Sequence, residues 1–377
     1  MNKLGLDRIK HIAPPEKMGS YKSEDCIFLL KNINNLVKEQ DNLSREVTMQ
    51  KGGHYSEMLP IEYVPTSEYT QLYKETLNVN AEMIASFVAS VATSIYEKSG
   101  KETVIVSLAR AGTPIGVLIK RYIKYKYDID VIHYSVSIIR DKGLDENAIL
   151  YIIGAHPEAK IQFIDGWTGK GVIGSTLRKS CLYLNEKYDI DLDYSLAVLC
   201  DPGYCSDLYG TREDLLVPSA CLNSTVSGLM SRTFLREDII GEYDFHGSKY
   251  YEEWKGIDLT NDFIDKITNH FCHKDNSESG KGENNGIDAK MSVENIKKDF
   301  GISSVNRIKP GVGETTRVLL RRVPWKILVR NENDAHLRHI ILLAKDRGVP
   351  IEVYKDMCYS SCGLIKDLSK NTNDKVE

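Results

Sequence analysis

Between residues 103 and 200, short β-branched runs alternate with stretches of helical period, a pattern that few folds can satisfy. Thr103–Leu108, Asp130–Val136, Ile161–Ile164 and Tyr194–Cys200 read as strands. Their near-continuous apolarity suits strands covered on both faces. Helical patterns fill the intervals at Pro114–Lys126, Asp145–Gly154 and Val172–Tyr188, with a longer one upstream at Glu68–Lys98. The alternation predicts an α/β fold with a doubly wound, mainly parallel sheet, whose ligands gather beyond the carboxyl ends of the strands.

The pattern breaks at residues 274–290, a polar stretch rich in Gly, Asn and Ser that has almost nothing to bury. It then restarts on a smaller scale. Helices are expected at Thr315–Arg322 and Ala335–Lys345, and strands at Lys326–Val329 and Pro350–Tyr354. The expected organisation is a large domain over 1–273, a linker over 274–290 and a small α/β domain over 291–377. Charge divides the same way. Sixteen of the 49 Lys and Arg but only 11 of the 53 Asp and Glu lie from Met291 onward, so a basic tail follows an acidic body within a net charge of −4. Such asymmetry suggests different partners for the two parts.

The most apolar run, Ala81–Tyr96, is interrupted by Glu82 and falls short of the roughly 20 apolar residues of a membrane span. The first residues lack the continuous apolar core of a signal peptide. Eight cysteines without CxxC spacing suggest neither a disulfide framework nor a zinc ribbon. The expectation is a reduced, cytoplasmic protein.

Two loops follow the expected strands. The first holds Ala109, Arg110, Ala111 and Gly112 before Pro114, where small residues let backbone amides approach an anion and the arginine adds a fixed cation. The second, Asp165-Gly166-Trp167-Thr168-Gly169-Lys170-Gly171, has the composition of a phosphate cradle without Walker A spacing. Together these loops resemble those of the phosphoribosyltransferase superfamily, with Arg140 and Lys142 in the place of its mobile loop. The match is closer to a divergent branch from tellurite-resistance and stress operons, fused to a Pelota-type RNA-binding domain and also labelled cysteine protease StiP. The segments that carry it are His54–Pro60, the two loops, Tyr209–Asp214 and Pro218–Thr233. The resemblance implies a phosphoribosyltransferase-like fold that binds phosphoribosyl pyrophosphate and transfers or cleaves at the anomeric carbon. Arg110, Ala111 and Gly112 would hold the pyrophosphate, and Thr168 to Gly171 the 5′-phosphate. Asp165 would orient the ribose or its Mg²⁺. Gly166 departs from the usual second acid of that loop.

In the tail, Gly311-Val312-Gly313-Glu314-Thr315-Thr316-Arg317 resembles the RNA-contacting loop of Pelota and kink-turn-binding proteins, with Gly313 in place of an asparagine. The resemblance implies RNA binding through Gly311, Gly313, Glu314, Thr315 and Arg317. Arg307, Lys309, Arg321, Arg322, Lys326 and Arg330 would supply phosphate contacts. Two other readings compete. One is a binding protein that senses a nucleotide through degenerate loops. The other is a cysteine protease using Cys200 or Cys205 with His54, His133, His156 or His246.

Overall fold

The computed structural model describes residues 1–272 and 289–368, except for the side chains of residues 220, 221 and 335. Most of the expected linker, 274–290, lies outside the described residues. The large unit is built on six strands, β1 (Ile27–Leu29), β2 (Thr103–Ala109), β3 (Ile132–Ile139), β4 (Lys160–Trp167), β5 (Leu196–Cys200) and β6 (Leu208–Thr211). They pair in the order β1-β3-β2-β4-β5-β6, every pair parallel, with a two-residue strand Gly143–Leu144 running antiparallel to β3. Mainly parallel α/β architecture is therefore what the alternation produces. The central strands β2 and β5 are buried along nearly their whole length, which accounts for their continuous apolarity.

Helix α1 (Ser67–Ser99) is long and apolar enough to cross a membrane by composition. It lies instead within the core, burying Tyr73, Leu77, Ile84, Val88, Val91 and Ile95. Helices α2 (Gly112–Tyr127), α3 (Glu146–Ala155) and α4 (Val172–Tyr188) follow β2, the short strand after β3, and β4. Each lies within a few residues of its expected bounds.

The small unit starts at α5 (Ala289–Asp299) and adds β7 (Ile308–Pro310), α6 (Val312–Arg321), β8 (Pro324–Val329), α7 (Arg338–Asp346), β9 (Ile351–Val353) and β10 (Ser361–Ile365). Its sheet runs β7-β10-β8-β9, with β8 and β9 parallel and β10 antiparallel to both neighbours.

The two units meet at the carboxyl edge of the large sheet. Asp214, just beyond β6, accepts hydrogen bonds from the backbone N–H of Val312 at 3.0 Å and of Ser360 at 2.9 Å. The Tyr359 hydroxyl donates to the Gly169 carbonyl at 2.8 Å, and Lys170 Nζ to the Ile308 carbonyl at 3.2 Å. Gly311, at φ +92°, lies against the Trp167 ring, where a Cβ would fall 2.1 Å from the indole. No other residue fits there.

Candidate functional site

Strands β2 and β4 are adjacent and parallel, so the loops that follow them lie side by side. The contact is backbone to backbone. A Cβ on Gly112 would sit 2.4 Å from the Ile164 carbonyl oxygen, and one on Gly166 would sit 2.8 Å from that of Ala111. One on Gly169 would enter the Trp167 ring at 2.2 Å. Packing thus requires the small residues that composition suggests for a phosphate cradle.

The expected anion-binding side chains are also engaged. Arg110 is bound to Glu62 at 3.1 and 3.2 Å, to Ser224 Oγ at 2.6 Å and to the Met230 carbonyl at 2.7 Å. Asp165 accepts from the N–H of its neighbour Gly166, and burial pushes its carboxyl up to about 6. Among the described residues, no group of three or more His, Cys, Asp or Glu side chains is placed to hold a metal ion. Arg140 reaches Asp141 and Asn306, while Lys142 faces Glu57 at 3.7 Å. Thr168 is 7% exposed beneath the same edge.

The basic residues expected to meet RNA are largely paired. Arg317 bonds Glu314 at 2.7 Å, Arg307 bonds Asp367 at 2.7 Å, and Lys326 bonds Glu352. Arg321 and Arg322 reach across to the large unit, Arg321 to the fully buried Glu62 and Arg322 in two bonds to Glu46. Glu314 is held down at about 2, because the charges of Arg317 and Lys309 outweigh its burial. Gly313 is half-buried with open space around its Cα, and Thr315 is buried.

The thiols divide sharply. Cys200 is 1% exposed, and burial pushes it well above the usual thiol range. Cys205 is exposed in the loop after β5. Its backbone N–H is fixed by the Asp201 carboxylate, which also receives the Ser206 N–H and the Arg212 guanidinium. Cys205 Sγ would lie 3.3 Å from a Cβ built on Gly171, the N-cap of α4. No side chain caps that 17-residue helix, so its first-turn N–H groups are left to water or a ligand. Partial desolvation, then the Asp201 charge, push the thiol up to about 11, opposed by a hydrogen bond from Thr168 and by Arg212.

The expected histidine partners are occupied elsewhere. His54 bonds Ser56 and the Arg140 carbonyl, His133 bonds Ser107 and the Asp25 carbonyl, His156 bonds Tyr134, and His246 bonds Ser137. Among the described residues no hydrogen bond joins a cysteine to a histidine. The position of Cys205 beside the start of α4 depends on a contact between loops 34 residues apart, which local sequence patterns do not encode.

A family model described as tellurite-like stress resistance cysteine protease StiP matches residues 19–268, and a PELOTA RNA binding domain model matches residues 287–367. A protein of Acinetobacter baylyi named "Cysteine protease StiP" is 34% identical over 369 residues, covering 93% of this chain and 95% of its own. These matches correct the expectation of a phosphoribosyltransferase acting on phosphoribosyl pyrophosphate. The physical source of the misreading is the loop pair, whose glycines serve close packing and whose arginine is already neutralised by Glu62.

Proposed function

Since the chain belongs to the StiP family of tellurite-like stress resistance cysteine proteases, we propose that it is a thiol hydrolase of proteins with Cys205 as its nucleophile. The observation that carries this is the exposed Sγ beside the uncapped start of α4. A helix N-terminus favours a thiolate, and its free N–H groups suit the oxyanion that forms when sulfur attacks a carbonyl carbon. The peptide C–N bond then breaks, the amine leaves with a proton from water, and a second water hydrolyses the thioester.

The test is to label the full-length protein with iodoacetamide, map the modified cysteine, and follow cleavage of an unfolded protein substrate. Preferential labelling of Cys205, with loss of cleavage on labelling, supports the assignment. Cleavage that survives full labelling of Cys205 removes it.

The rate should carry a signature in pH. With the thiol near 11 and the helix supplying at most ~2 kcal/mol, or about 1.5 pH units, little thiolate forms at neutrality. Labelling of Cys205 is therefore expected to rise about tenfold per pH unit from 7 to 9. A profile already flat at pH 7 would show that a partner group forms the thiolate instead.

The small unit, a Pelota RNA-binding domain, is proposed to bind RNA in competition with the large unit. Arg321 and Arg322 cannot serve phosphates while they hold Glu62 and Glu46. Glu46→Gln, which weakens the hold on Arg322, is expected to tighten RNA binding several-fold and to steepen its salt dependence by about one counterion. Filter binding of full-length protein at two salt concentrations measures both. Unchanged binding would mean that RNA uses another face.

A further inference from the structure

The seam between the units holds more positive charge than its carboxylates balance. Arg45, on the helix Asn42–Gln50, feels the charges of Arg322, Glu46 and Glu62, and Arg232 those of Arg45, Arg110 and Arg322, while Arg321 joins the group through its ion pair with Glu62. Glu62 takes Arg110 and Arg321, and Glu46 takes Arg322 in two bonds. That leaves two guanidinium groups over. Arg45 is 1% exposed, its Nε has no hydrogen-bond partner, and among the described residues it makes no ion pair. Arg232 is half-buried and has the Tyr55 ring, 4.4 Å from its Cζ, as its neighbour.

The two leftover cations lie within each other's field. Burial, then the charge of Arg45, pull Arg232 down to about 9; burial, then the charge of Arg322, pull Arg45 down to about 10. Buried charges are ordinarily paired, because an unpaired one forfeits its hydration without return. Five cations against two carboxylates leave an excess of three, enough to balance a multiply charged anion. Guanidinium forks match the oxygens of a phosphate group. The partial exposure of Arg232 marks the side from which such a group would enter.

We propose that Arg45 and Arg232 together hold a small phosphate-class oxyanion at the seam between the two units. The near-complete enclosure of Arg45 suits a free anion or a terminal phosphate better than a phosphate inside a polynucleotide. This site does not rest on the thiol assignment, because none of its five arginines is among the groups that act on Cys205.

The test uses full-length protein at constant ionic strength, with thermal melting and titration calorimetry. The probes are inorganic phosphate, pyrophosphate, and an oligoribonucleotide with either a 5′-phosphate or a 5′-hydroxyl end. The expected result is saturable binding and a rise in Tm. A response to inorganic phosphate or pyrophosphate assigns a free anion, and a response only to the 5′-phosphorylated RNA assigns a chain end. Arg45→Met and Arg232→Gln should each lower the affinity at least tenfold, while the surface variant Arg178→Gln binds as the wild type does. Arg45→Met should also melt higher than the wild type when no anion is added, since it removes an unpaired buried charge. If Arg45→Met does not fold, Arg232→Gln and the wild type decide. No response to any probe, wild-type affinity in the two arginine variants, or a lower anion-free Tm for Arg45→Met would overturn the proposal.

Discussion

Replacing Glu62 by alanine is expected to destabilise the protein by about 3–5 kcal/mol, the range for stripping the partner from a buried ion pair. Its side chain is 0% exposed and serves two guanidiniums at once, Arg110 of the large unit and Arg321 of the small one. Both would be left with uncompensated charge in a seam already rich in cations. Glu62→Gln keeps the volume and separates loss of charge from loss of packing. Urea unfolding measures the effect as a fall in midpoint, and a single transition that splits in two would show the units coming apart before they unfold. A loss below ~1 kcal/mol would show that the pair adds little to the native state.

The other large effect concerns chemistry rather than stability. Cys205→Ala should reduce hydrolysis by roughly a thousandfold or more, because removing a nucleophile leaves only the contributions of binding and oxyanion stabilisation. Stability should hardly change, since the exposed thiol gives up a weak hydrogen bond to the Gly203 carbonyl at 3.2 Å and surface substitutions are usually worth within about ±0.5 kcal/mol. Cys200→Ala is the informative companion. It vacates a core position at 1% exposure, so it should lower the melting temperature while sparing activity at low temperature. The reverse pattern, with Cys200 essential and Cys205 dispensable, would reject the assignment.

The parallel sheet was legible because β2 and β5 are buried on both faces and announce themselves through unbroken apolar runs. Strands with weaker signals were not. Leu208–Thr211 sits at the sheet edge with two of its four residues half-exposed, in the polar setting Asp207-Leu208-Tyr209-Gly210-Thr211. Ser361–Ile365 is fully buried between two neighbours, yet it opens Ser-Cys-Gly, a composition that reads as a turn. The loops misled for a different reason. Small residues admit a phosphate and admit a neighbouring backbone equally well, and local sequence does not tell whether Gly112 faces a ligand or the Ile164 carbonyl. Nor does the charge of Arg110 or Arg321 disclose a carboxylate that lies 48 or 259 positions away.

The contact between Trp167 and Gly311 bears on how such a chain can vary. The indole fills the space a side chain at 311 would need, and the same ring closes over Gly169. A side chain at Gly311 is therefore tolerated only with a matching change at Trp167, 144 positions earlier, and one at Gly169 would push the same ring. The two halves cannot be exchanged freely between relatives, as beads on a string could be. A hybrid joining one relative's first half to another's second half should assemble only when the aromatic and the glycine arrive as a matched set.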